Sequence, residues 1–408
     1  MTWKCSAILA LCIAASGCQS ESAQQNSAPA NANAAGTTAK SAPTDLKELA
    51  RRVVAQNANI KEGEIVRITG SPRDMELLEN IFIEVEKVGA HPMLSVTTES
   101  LAKRHYAEVP EKFDSQDPKL SLALARIINV EIGVDGLETE GLLADVPPAR
   151  FAARAKGNQA IAAEYIKNKI RTVSIGNGLY PTAWLAGRFE MAPDAFANMF
   201  WRGVNVDYSD LQKTGEAART ALTGNEIVIT HPNGTDLRIN VQGRPIYIGD
   251  GVISDEDMRK GNYDVFLPAG EAAITPVANS GDGKFVVDKQ YFDGKEVTNL
   301  TLTFAGGKLV SLTGGGPGFE MLKQSYEAFP EGKELLGFVD VGLNNNMKAA
   351  PNAKLGNWVS AGMVSVGTGG NSWAGGSSNA SGGVLGQLPG ATVKIDGKVV
   401  VENGVLKL

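Results

Sequence analysis

Any chemistry in this sequence has to be built mainly from carboxylates, because imidazoles and thiols are scarce. The 408 residues contain three histidines, His91, His105 and His231, and three cysteines, Cys5, Cys12 and Cys18, all of the latter near the N-terminus. Zinc and cobalt centres favour imidazole or thiolate donors. The stretch after His231 contains neither, so a site built there offers an ion only carboxylates and carbonyls. Such a donor set suits Mg²⁺, Ca²⁺ or Mn²⁺ and makes a weaker nucleophile of a bound water.

Other short patterns have simpler explanations. Ser100-Leu101-Ala102-Lys103 matches the Ser-x-x-Lys of penicillin-interactive serine enzymes, and Lys213-Thr214-Gly215 matches their distal triad. No Ser-Asp-Asn lies between them, and Lys213 falls in a helix-rich segment where that chemistry needs a strand. Gly314 to Gly318, between a strand and a helix beginning at Phe319, could aim bare amides at an anion, but it matches neither phosphate fingerprint and reads as a tight turn. His231 precedes Pro232-Asn233-Gly234 and reads as a hairpin tip. His91 opens a strand. Asp250, Asp255, Glu256 and Asp257 would attract a cation, and a solvated loop explains them as well.

Patterning gives the elements that must position these groups. Lys4, the apolar run through Ala14 and the lipobox-like Ala15-Ser16-Gly17-Cys18 make 1–17 a lipoprotein signal peptide. Lipid on Cys18 then ties the chain to the periplasmic face of a membrane in a bacterial cell envelope. Residues 18–44, rich in Ser, Ala, Asn and Gln, form a disordered tether. From Asp45 to 222, strands and helices alternate: Ile65 to Thr69, Met75 to Val88, Pro92 to Val96, then Ser121 to Asn129, Val130 to Val134, Gln159 to Lys169 and Thr172 to Ile175. That order predicts an α/β domain with a mainly parallel sheet. From 223 to 408, short strands separated by turns such as Asp293-Gly294 predict a β-rich α+β domain. The formal charge of −6 leaves no electrostatic footprint for nucleic acid.

The segments Lys61 to Ile68 and Leu77 to Ala90 resemble the opening strand and helix of the thermophilic-type (aminopeptidase T-like) metallo-aminopeptidases. The stretch Phe266 to Pro276 is similar to their Pro-x-x-Glu-Val-x-x-x-Pro segment, whose Glu bridges two divalent metals. The resemblance runs from the first domain to the end of the chain and implies that fold, a homodimer, and Glu271 as the first ligand. The remaining ligands do not carry over. Leu336-Gly337-Phe338-Val339 has Phe338 in place of the second metal Glu. Met363 stands where the family has a His and Gly370 where it has a Tyr, and Ala380 and Gly382 occupy the final His-x-Asp. Asp340, two residues beyond Phe338, and Asp282 are the nearest replacement carboxylates.

Two readings follow. In the first, the chain is catalytically degenerate and binds a peptide, a small molecule or a partner, with Trp358 and Trp373 of the Gly-rich tail as aromatic contacts. In the second, it is an active metallo-aminopeptidase with a rebuilt, carboxylate-rich divalent-metal site.

Overall fold

A computed structural model describes residues 44–348 and 356–408. The leader, Cys18 and nearly all of the tether lie outside the described residues. Asp45 opens the folded part by accepting the backbone N–H groups of Lys47 and Glu48, each at 3.0 Å, which supplies the first turn of α1 (Leu46–Arg52) with an acceptor. The chain then alternates through β1 (Ile65–Gly70), α2 (Met75–Lys87), β2 (His91–Val96), α3 (Glu99–Glu108), α4 (Lys119–Leu124), β3 (Val130–Val134), α5 (Pro148–Lys167) and β4 (Arg171–Ile175). Three helices follow, α6 (Ala183–Arg188), α7 (Pro193–Val204) and α8 (Tyr208–Leu222).

Helix α4 stops at Leu124 rather than running to Asn129. The amide of Asn168 takes the Ala125 carbonyl at 2.9 Å, and the Asn129 side chain accepts Ile65 N–H at 2.9 Å, so both ends of this turn are committed to other elements. Helix α5 begins at Pro148, where a ring without an N–H costs nothing.

Beyond α8 come β5 (Glu226–His231), β6 (Thr235–Asn240), β7 (Ile246–Gly249), α9 (Asp255–Lys260), β8 (Asp264–Leu267), β9 (Glu271–Ile274), β10 (Asp282–Phe292), β11 (Lys295–Ala305) and β12 (Lys308–Gly315). The last elements are α10 (Phe319–Ala328), β13 (Leu336–Gly342), β14 (Val364–Thr368), β15 (Leu385–Leu388), β16 (Thr392–Ile395), β17 (Lys398–Glu402) and β18 (Val405–Leu406). Strands β10 and β11 are longer than their alternation suggests. They form one hairpin across Asp293 (φ 44°) and Gly294 (φ 77°), the pair of positive angles a two-residue turn needs to match strand twist.

The strands form three sheets. A parallel sheet has the order β2-β1-β3-β4-β8, and its fifth strand comes from beyond residue 222. An eight-stranded sheet runs β12-β11-β10-β6-β5-β16-β17-β18, and a five-stranded antiparallel sheet runs β15-β14-β13-β9-β7. One continuous core joins all three, from Leu49 and Ile81 through Phe200 and Ile274 to Phe285 and Val401. No helix of the described residues is long and apolar enough to cross a membrane.

The parallel sheet is asymmetric. One face carries Val66, Ile68, Ile132, Val173, Ile175 and Leu267, all fully buried. The other aligns Arg67, Glu131, Thr172 and Asp264 across four neighbouring strands, with Glu131 and Thr172 also buried. Parallel sheets are normally apolar on both covered faces.

Candidate functional site

Glu271 opens β9, only four residues after the last strand of the parallel sheet, so one short segment links the two sheets. The Leu267–Pro268 peptide is cis, and Asn177 donates to the Pro268 carbonyl at 3.0 Å. At Gly270 (φ 124°) an added Cβ would lie 2.8 Å from Asn344 Cβ and 2.9 Å from its backbone nitrogen, so the position requires glycine. Asn344 clamps the segment, its amide donating to Ala269 O at 2.7 Å and to Gly203 O of α7 at 2.9 Å.

Register decides what surrounds Glu271. It faces Gly342 on β13 and Gly249 on β7, while Ala273 faces Asp340 and Tyr247, and Asp340 in turn faces Ser365, which faces Gln387. Directly opposed residues share a face and alternate residues return to it. Glu271, Asp340, Tyr247, Phe338, Ser365 and Gln387 therefore project from one side of the five-stranded sheet. Val339, Val341, Ala272 and Ile274 project from the other side into the core. Glu271 is 8% exposed and Asp340 3%. Their strands are adjacent, with the two carboxylates in diagonal positions whose Cα atoms lie about 7–8 Å apart in such pairs.

An aromatic cluster covers part of this face. The Trp373 ring meets Phe338 at 5.1 Å and 76°, and Tyr247 at 5.4 Å and 84°, both edge-on. Contacts of this kind add about 0.5–1.5 kcal/mol each beyond the area they bury. Phe338 is thus an anchored member of the face at the position where the resemblance puts a carboxylate. Gly342 is overlaid by the Trp358 and Ser360 carbonyls.

The other candidates lie elsewhere. Asp282 starts β10 in the eight-stranded sheet and accepts Gly306 N–H at 2.9 Å, so it is not brought to Glu271 by any ladder of the antiparallel sheet. His91 heads β2 and is exposed. His231 Nδ1 accepts Asn233 N–H at 3.2 Å at the hairpin tip. His105 sits on α3 beside Arg154 and Asp114, where burial first and Arg154 next hold its pKa down. Most of the acidic run is engaged locally: Asp250 accepts Val252 N–H at 2.9 Å, Asp257 and Ser254 cap α9 reciprocally, and Glu256 pairs with Lys260. Among the described residues no group of three or more His, Cys, Asp or Glu side chains is arranged to hold a metal ion. Lys213 lies on α8, paired with Asp210 at 2.7 Å, which removes the serine-enzyme pattern. A Cβ at Gly316 or Gly318 would meet the Glu296 or Lys295 carbonyl, and the Gly318 N–H is already taken by the Glu296 carbonyl at 2.8 Å, so the segment is a tight turn.

Sequence reasoning missed Tyr247, Ser365 and Gln387. The Gly-rich stretch that supplies β14 and β15 carries little strand signal, and only the register reveals which of its residues face Glu271.

A layered α/β sheet joined to an antiparallel sheet that displays a buried Glu defines an aminopeptidase T-like architecture. The chain belongs to the thermophilic metalloprotease family (M29), whose family model matches residues 43–341. Wild-type AmpT from Thermus thermophilus superposes with a TM-score of 0.68 at 16% identity, over 89% of this chain and 99% of that one. The 2,5-dihydroxypyridine dioxygenase of Pseudomonas putida KT2440 superposes with a TM-score of 0.53 at 14% identity, over 89% of this chain and 96% of the other. No curated protein matches in sequence.

Proposed function

We propose that this chain is a lipid-anchored envelope member of the family in which the antiparallel sheet no longer assembles a pair of catalytic divalent ions, and that it acts by binding a ligand or partner. The observation that carries this reading is the Phe338–Trp373–Tyr247 cluster on the very face that holds Glu271. A dinuclear centre needs a bridging carboxylate and several further donors around it. Here Gly342 and Gly249, directly opposite Glu271, and Ala273 beside it carry no donor side chain, which leaves the diagonal Asp340 and Tyr247 as the nearest donors on the face. One buried Glu with Asp340 at the diagonal is too small a donor set for two ions. The fold itself does not argue for peptide hydrolysis, since a dioxygenase shares it.

One observation favours the alternative, an active metallo-aminopeptidase with a rebuilt site: Asp340 shares the face of Glu271. Two carboxylates could grip a single hard cation. A single assay separates the readings. The purified chain is incubated with peptides and Co²⁺, Zn²⁺ or Mn²⁺, with and without chelator, and its bound metal is measured. The expected result is no release of N-terminal residues and no stoichiometric metal. Chelator-sensitive release would overturn the binding reading.

A further inference from the structure

The parallel sheet carries a second site, unrelated to Glu271. Its strand order reverses direction between β1 and β3: β2 lies on one side of β1, while β3, β4 and β8 follow on the other. In open α/β sheets, ligands lodge outside the carboxyl ends of the strands at such a switch point. A cavity of about 380 Å³ lies there, lined by the carboxyl ends of β1 and β3 at Ser71 and Asp135, and it extends under α5 along the polar face of the sheet. Its volume is within the range of small-molecule sites.

The polar row beneath α5 has a physical cost. Buried polar groups are tolerated when paired, and an unpaired one costs several kcal/mol or more. Glu131 is paired: Arg67 Nη1 approaches it at 3.2 Å, and the Tyr165 hydroxyl of α5 donates to it. Three residues lining the cavity each carry an atom that is not paired. Arg67 Nε, Arg73 Nη2 and Asp135 Oδ2 are buried and have no hydrogen-bond partner among the described residues. Two are fixed donors and one an acceptor. Arg73 is itself held, its Nε on Asp74 at 3.1 Å and its guanidinium 4.0 Å above the Tyr180 ring, so it is not free to swing away.

The roof is equally constrained. Arg150, in the first turn of α5, grips Asp114 through Nε at 2.6 Å and Nη2 at 3.1 Å, and it donates to the Val109 carbonyl at 2.9 Å. This fixes the helix whose Ile161, Ala162 and Ile166 form the apolar wall opposite the sheet, with Phe266 at the far strand. Glu99, at the start of α3, accepts the Thr139 hydroxyl at 2.7 Å and so ties down the loop after β3, whose Gly136 and Leu137 line the cavity.

We propose that this cavity binds a small zwitterion with an apolar side chain, of the free α-amino-acid class. Its carboxylate would accept from the guanidinium groups of Arg67 and Arg73, its ammonium would donate to Asp135, and its side chain would lie against α5. Phosphates are disfavoured, because Glu99, Glu131, Asp135 and Asp264 outnumber the two arginines along the lining. A plain amine would leave the guanidinium donors unsatisfied, and a plain carboxylate would leave Asp135 so. The proposal goes beyond the reading of the antiparallel sheet and holds whether or not that sheet hydrolyses anything.

Isothermal titration calorimetry of the purified full chain with L-leucine tests it, alongside 3-methylbutylamine, 4-methylpentanoate and inorganic phosphate. Saturable leucine binding is expected, with each analogue weaker by at least about tenfold, a difference of about 1.4 kcal/mol. Asp135→Asn should weaken leucine by a similar factor or more. Ala162→Phe, which fills the cavity from the helix and leaves every charged group in place, should abolish binding. Absence of saturable leucine heat, an analogue binding as tightly as leucine, competition by phosphate, or normal binding in both variants would each overturn the assignment. Peptidase activity does not enter any of these readouts, so failure here is distinguishable from failure of the reading of Glu271.

Discussion

Replacing Asp135 by Asn should stabilise the fold at neutral pH. Burial pushes the Asp135 carboxyl up from its ordinary 3.8 to about 6; the Glu131 charge adds to the effect, and the Ser174 hydroxyl and Arg73 oppose it. A carboxyl whose folded value is raised is a liability in its ionised form. Between the two values the native protein binds a proton that the unfolded chain has already lost, so its stability falls as pH rises through that window. The interval from 3.8 to about 6 corresponds to about 3 kcal/mol, fully felt above the folded value and absent below the unfolded one. An amide of the same shape carries no charge and escapes the penalty. Urea unfolding of parent and variant from about pH 4 to about pH 8 gives the comparison, with other carboxylates cancelling in the difference. The variant should gain about 3 kcal/mol near pH 8, and the gain should shrink toward zero near pH 4. Equal stabilities at pH 8, or a gain that persists unchanged into acid, would refute the reasoning. A residue that destabilises the fold yet completes a binding site shows the trade-off expected where function constrains sequence.

Two further outcomes are expected. Asn344→Ala strands the Ala269 and Gly203 carbonyls in a buried place, and thermal or urea unfolding should show a loss of about 2–4 kcal/mol; a change under about 0.5 kcal/mol would mean that the clamp on the Glu271 strand is dispensable. Cys18→Ala should end incorporation of labelled fatty acid, because Cys18 is the residue that carries the lipid; incorporation at the parent level would remove the lipoprotein reading.

Much of the architecture was legible because it depends on local periodicity. The alternation from Ile65 to Ile175 is spelled out by apolar runs of strand length between amphipathic helices, and the structure shows the parallel sheet it implies. The donor shortage was legible too, since the chain supplies no imidazole or thiol after His231, although only the fold places His91, His105 and His231 away from Glu271. Boundaries were less legible. The end of α4 is decided by Asn168, over forty residues away in sequence, and the long β10–β11 hairpin by pairing that no window of either strand reveals.

Residue identities alone determined which donors exist, and a single short motif determined where the matching glutamate lies. Only tertiary structure decided that Asp340 shares its face while Asp282 does not, because facing is a property of register between strands distant in sequence. The same holds for the cavity. Arg67, Glu131, Thr172 and Asp264 are scattered over nearly two hundred residues and become one buried row only when four parallel strands align them, a long-range pairing to which local composition is blind.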